Sequence, residues 1–214
     1  ERSVKLDPNS VNALNWLGLA WVLVGETDKG LEAFQRCVQV DPLAAACSEN
    51  ESRVLTALGR YDEAWRRQLA ALDRGAKIDQ LADFPLLAHM GQKAAFMFAS
   101  NQSRYLPRWH RHEALYEAYR NPEADHGELA REILAFAGKE RLTSRDYLVG
   151  LLLPLGAYDL TPDLWMLWGE DNRRYRQSPQ FKSYIRESGI HDYWRKAGFP
   201  EQCQPVGSDD FRCD

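Results

Sequence analysis

The chain is short of positive charge. Its 27 lysines and arginines stand against 31 aspartates and glutamates, a formal net charge of −4 over 214 residues, so it has no cationic excess from which to build a broad phosphate-binding surface. The one basic run, NRRYR from Asn172 to Arg176, has the ordinary composition of a helix C-terminus, where cations are favoured. Long apolar runs are missing as well. LGLAWVLVG and LVGLLLPLG reach about half of the roughly 20 residues a membrane span needs, and the second contains Pro154. Direct binding of nucleic acid and a membrane crossing are therefore not expected of this stretch.

Signatures of catalysis and metal binding are equally sparse. His110 and His112, in RWHRH, stand two apart and would face different directions on a helix, so they do not share a metal. His89, His126 and His191 are scattered, and no glycine-rich phosphate loop or nucleophile elbow occurs. The tail GSDDFRCD lacks the alternating oxygen ligands and closing glutamate of a calcium loop. No catalytic residue, metal or cofactor is expected, and the chain reads as a non-enzyme. Alternating runs rich in valine, isoleucine or threonine between hairpin turns are also absent, so strands are not expected.

What is present is a repeat. Laying ERSVKLDP on QRCVQVDP pairs Arg2 with Arg36, Val4 with Val38, Asp7 with Asp41 and Pro8 with Pro42, an offset of 34 residues. A self-similarity of that period marks stacked helical hairpins, none of which can bury its apolar face alone. Residues 1–8 accordingly predict the tail of a hairpin whose first helix precedes them, an unpaired helix packed on Trp16 and its neighbours.

Between the two prolines the key positions are Leu14, Leu17, Gly18, Trp21, Gly30, Phe34 and Pro42. This pattern resembles the tetratricopeptide repeat (TPR), with Leu14 in place of tryptophan, Trp21 of tyrosine and Gly30 of alanine. Gly18 and Gly30 would let the paired helices approach, while Trp21 and Phe34 fill the space beside them. The next 34 residues keep Gly59 and Ala64 but place Ser48, Glu51, Ser52 and Gln68 where the first repeat has Leu14, Leu17, Gly18 and Phe34. After Ala76 the period fades while helix starts and stops continue. Asp125 and Ser178 read as N-caps, Thr143 or Ser144 as another, Pro162 and Pro179 stand at first helical positions, and Pro107 lies near a start.

The expected fold is all-α, about eleven helices forming a right-handed α-solenoid of antiparallel pairs with degenerate later repeats. Its parts are the tail of a preceding repeat (1–8), two TPR repeats (9–76), degenerate helical repeats (77–177) and a C-terminal capping segment (178–214). That last segment carries a second resemblance, through Phe181, Ile185, Gly189, Asp192, Tyr193, Trp194, Arg195, Gly198, Pro200, Cys203, Pro205, Asp209, Asp210, Phe211 and Cys213. It is similar to the C-terminal end of bacterial regulators in which a TPR array follows an effector domain, most often a winged helix and less often a nucleotide cyclase. The resemblance implies a part in transcription regulation or signal transduction.

The resemblance to TPR proteins places the partner-binding positions of the concave groove at Asn12, Asn15, Leu19 and Val22 in the first repeat and Glu49, Arg53 and Thr56 in the second. Asparagine, glutamate and arginine can hydrogen-bond an extended backbone without demanding one sequence, so the expected partner is a protein or peptide. A homo-oligomer is compatible with the sequence. The other reading is a small-molecule sensor, with Trp165, Trp168 and Tyr193 walling a pocket between the array and the C-terminal segment.

Cys203 and Cys213 lie ten apart around Pro205 and Gly207, a spacing that lets the chain turn back and bring the sulfurs within bonding reach. A disulfide there would favour an array in the periplasm, behind a membrane span elsewhere in the parent protein. Two free thiols in a cytoplasmic regulator are the alternative. Cys37 and Cys47, also ten apart, read as small buried thiols on consecutive helices.

Overall fold

The computed structural model describes residues 2–75, 84–103, 106, 109–139, 151–159 and 167–214. The expected helix starts at Pro107, Thr143 or Ser144, and Pro162 lie outside them. The described chain is mostly helical. Its first elements are α1 (Arg2–Leu6), α2 (Val11–Leu23), α3 (Thr27–Val40), α4 (Ala45–Ala57) and α5 (Tyr61–Asp73). Next come α6 (Phe84–His89), α7 (Lys93–Gln102), α8 (His112–Arg120) and α9 (Gly127–Lys139). The C-terminal segment holds α10 (Arg173–Arg176), α11 (Pro179–Glu187), α12 (Ile190–Ala197), β1 (Cys203–Val206) and β2 (Asp210–Cys213).

The first hairpin follows from its local chemistry. The Ser10 hydroxyl accepts from the Ala13 N–H at 3.4 Å and opens α2. Gly25 closes the helix at φ 89°, a left-handed conformation that glycine adopts without penalty. Gly18 then permits the pairing of α2 with α3, because a Cβ built there would lie 2.5 Å from the Phe34 ring. Gly59 and Gly91, at φ 70° and 69°, make the same kind of turn in α4–α5 and α6–α7. The periodic turn therefore persists past Ala76, where the sequence pattern fades.

One core gathers Phe84, Phe96, Leu115, Tyr119, Ile133 and Leu152 from α6 to α9 and the segment after it. A second gathers Val22, Phe34 and Leu55 of the first two hairpins with Trp168, Phe181, Trp194 and Phe211 of the C-terminal segment. Strict solenoids contact nearest neighbours only. Here the C-terminal segment returns to the first hairpin: a Cβ on Gly25 would lie 2.6 Å from Pro200 and 3.0 Å from Trp168.

Two expectations need correction. Residues 203–206 and 210–213 form an antiparallel two-stranded hairpin with Cys203 opposite Cys213. Strands of four residues are too short for alternation to show in the sequence, and Gly207 at φ 65° makes the turn. Helix α1 does not cover Trp16, which stays 68% exposed. Instead it sets Val4 against the small cluster of Leu14, Cys37 and Cys47. Arg176 ends helix α10, as the basic run suggested, and is also one of the largest fully buried side chains.

Candidate partner-binding face

Helix α2 reads VNALNWLGLAWVL, without one charged residue. Asn12 is exposed, Asn15 and Leu19 are half-buried, and Leu19 leans on the second core. The Asn50 side chain of α4 donates to Asn15 Oδ1 at 2.8 Å, so the two inner helices meet through an amide pair. Val22 is not on an open groove. It is 1% exposed, and its Cγ2 occupies the space that a Cβ on Gly30 would need, at 2.5 Å. The C-terminal end of α2 is covered because the Trp194 indole donates to the Val24 carbonyl at 2.7 Å.

On α4, Glu49 and Arg53 form an i,i+4 ion pair at 2.5 Å, both about a fifth exposed. Thr56 is buried and donates its hydroxyl to the Ser52 carbonyl at 3.0 Å. Arg53 and Thr56 line a cleft whose other walls are Ala57, Tyr61, Pro85 and the segment from Gly169 to Asn172. Its volume of about 30 Å³ has room for about two waters rather than an organic ligand.

Three residues of this cleft region carry no signal in the sequence. The Tyr61 ring stacks on His89 with centroids 4.7 Å apart. His89 Nε2 lies 2.9 Å from Asp171 Oδ2, while Asp171 Oδ1 is buried without a hydrogen bond. His89 and Asp171 are 82 residues apart, so only the fold brings them together. Beneath the face, Glu51 is 1% exposed, and burial raises its carboxyl above the ordinary range against the opposing pull of Arg67. Arg67 Nε is 3.1 Å from Glu51 Oε1, close enough to pair but without hydrogen-bond geometry.

The residues expected to wall a small-molecule pocket are placed differently. Trp168 is 2% exposed and sits edge-on to Phe181 and Trp194, filling the core. Tyr193 is half-buried against the same cluster. Trp165 lies outside the described residues.

All four cysteines are paired. Cys203 and Cys213 are bonded across β1 and β2. Cys37 and Cys47 are also bonded, which overturns their reading as separate thiols. The connection through Pro42 brings the end of α3 beside the start of α4, with the two Cα atoms 6.1 Å apart. Compared with known protein families, curated proteins and solved structures, the chain matches none.

Proposed function

We propose that the chain is a non-catalytic, TPR-like interaction or signal-sensing module of a larger bacterial regulatory protein. It binds a peptide or partner protein on the face formed by α2 and α4, within an array whose hairpins stack as a right-handed solenoid. The observation that carries this reading is Trp16, 68% exposed on a helix with no charged residue. Tryptophan is enriched among the residues that carry binding energy, and an exposed apolar surface rimmed by polar groups marks interaction sites. Asn12 and Asn15 flank it with amides suited to a peptide backbone, and Glu49 and Arg53 supply charge at the far side. Two disulfides and no free cysteine favour an array working in an oxidising compartment, the periplasm in a bacterial regulator.

Selection of peptides from a random displayed library on the immobilised chain tests the proposal. Selected peptides should lose at least about tenfold in affinity, or roughly 1.4 kcal/mol, against Asn12→Ala/Trp16→Ala protein. Peptides that bind wild type and variant equally would contradict it.

A further inference from the structure

We infer that the Cys203–Cys213 disulfide is a reducible control site, acted on by a dithiol, whose state passes through Arg176 to the wall of the Arg53–Thr56 cleft. The path is a chain of direct contacts. Arg176, 2% exposed, donates from Nε to Asp214 Oδ1 at 3.0 Å, and its Nη2 lies 2.9 Å from the same oxygen. Its Nη1 donates to the Leu167 carbonyl at 3.0 Å and the Gly169 carbonyl at 2.6 Å. The segment from Gly169 to Asn172 is one side of the cleft, opposite Arg53, Thr56 and Tyr61. Asp214, next to the bonded Cys213, is the counter-charge that lets a guanidinium remain buried here.

The two disulfides differ in how easily a reductant reaches them. All four cysteines are buried, Cys37 and Cys47 at 0% and 1% exposure beneath α1 and between α2, α3 and α4, and Cys203 and Cys213 at 7% and 5%. The tail pair closes a hairpin in which Gln204, Pro205, Val206 and Arg212 are exposed. The two four-residue strands belong to no larger sheet, so local opening of the hairpin is enough to expose a sulfur to attack. A dithiol's thiolate attacks one sulfur and displaces the other, which takes up a proton. The second thiolate resolves the mixed disulfide, the remaining cysteine is protonated, and the reductant leaves as its own disulfide. Two electrons and two protons are transferred.

Once reduced, β1 and β2 keep only their ladder and the bond from the Asp214 N–H to the Gln202 carbonyl, and the hold of Asp214 on Arg176 weakens. A buried guanidinium with carbonyl partners but no carboxylate is costly, so it moves toward solvent and releases the backbone at Leu167 and Gly169. The cleft wall then opens. Any effect on partner binding rests on the function proposed above, whereas the clamp itself rests on these contacts alone.

Graded reduction of the full chain with dithiothreitol, followed by thiol alkylation, mass mapping and amide exchange, tests the clamp without a partner. Cys203 and Cys213 should be alkylated at reductant levels that leave Cys37–Cys47 closed. Exchange across residues 167–172 should then accelerate at least about tenfold, a direct reading of local opening, while residues 27–40 stay unchanged. The Cys203→Ser/Cys213→Ser protein should show the same opening without reductant. If that protein fails to fold, Asp214→Asn, which keeps the disulfide, should open the same stretch. Unchanged exchange at 167–172 in reduced protein, or prior opening of Cys37–Cys47, overturns the inference and leaves the proposed peptide face untouched.

Discussion

Trp194 and Val24 are 170 residues apart in the chain, yet the indole N–H of one donates to the carbonyl of the other at 2.7 Å. This bond ties the C-terminal segment to the end of the first inner helix, beside the contact of Pro200 with Gly25. Through it the chain closes on itself along the turn edge of the first hairpin, leaving the earlier part of α2 as the open portion of that helix.

Trp194→Phe keeps most of the ring packing and removes the donor, leaving the Val24 carbonyl unsatisfied. The expected cost is about 1–3 kcal/mol, the penalty of an orphaned buried acceptor. Urea denaturation measures it, and a change within about 0.5 kcal/mol would show that neither this bond nor the ring area lost at a buried site holds the segment in place.

Gly30→Ala restores the residue the TPR pattern prefers, and here it should destabilise. The new Cβ would meet Val22 Cγ2 at 2.5 Å and the Gly18 carbonyl at 3.0 Å, with little freedom to retreat from either. Overpacking of this kind costs about 1–3 kcal/mol, against a helix-propensity gain of about 1 kcal/mol for replacing glycine. Thermal unfolding should therefore show a lower Tm, and a higher one would mean that α2 and α3 adjust freely.

Two carboxylates give the chain pH responses of opposite sign. A hydrogen bond from Lys182 first, then the Phe211 backbone, hold Asp210 down at about 2, helped by the nearby charges of Lys182 and Arg186. A depressed carboxyl contributes stability above its ordinary value of 3.8 and loses it as pH falls through about 2. Tail protection in amide exchange should fade in that window, and Asp210→Asn should remove the pH dependence. Glu51 is raised by burial, so its contribution is full below its ordinary value of 4.5 and is lost as pH rises through the elevated one. Glu51→Gln should raise Tm by a few degrees at pH 7 and hardly at pH 4. An equal shift at both would show that the effect is packing and not charge.

The first two hairpins were legible because their signals are local. Gly25 and Gly59 turn the chain and Gly18 faces Phe34, each within one repeat. Ser178 likewise opens α11 by accepting from the Phe181 N–H at 3.2 Å. What escaped were contacts created by distant segments. Val24 closes α2 within the first hairpin, yet its carbonyl is taken by the indole of Trp194. Arg176 looks like any helix-terminal cation until Leu167, Gly169 and Asp214 surround it. Cys37 and Cys47 share the spacing of the tail pair without its turn residues, and only the α3–α4 connection shows them adjacent. For the site itself, Arg53 and Thr56 could be placed on one helix, whereas their neighbours His89 and Asp171 could not be foreseen.

If α2 and α4 form a partner-binding face, a bound peptide leaves an amide-exchange footprint on both helices. Wild-type chain saturated with a selected peptide should gain protection in residues 11–23 and 45–57, strongest around Asn12, Asn15, Trp16 and Arg53. Residues 112–120 and 127–139, in α8 and α9, should be unaffected. Protection confined to α8, α9 or the tail hairpin, with none on α2, would contradict the account.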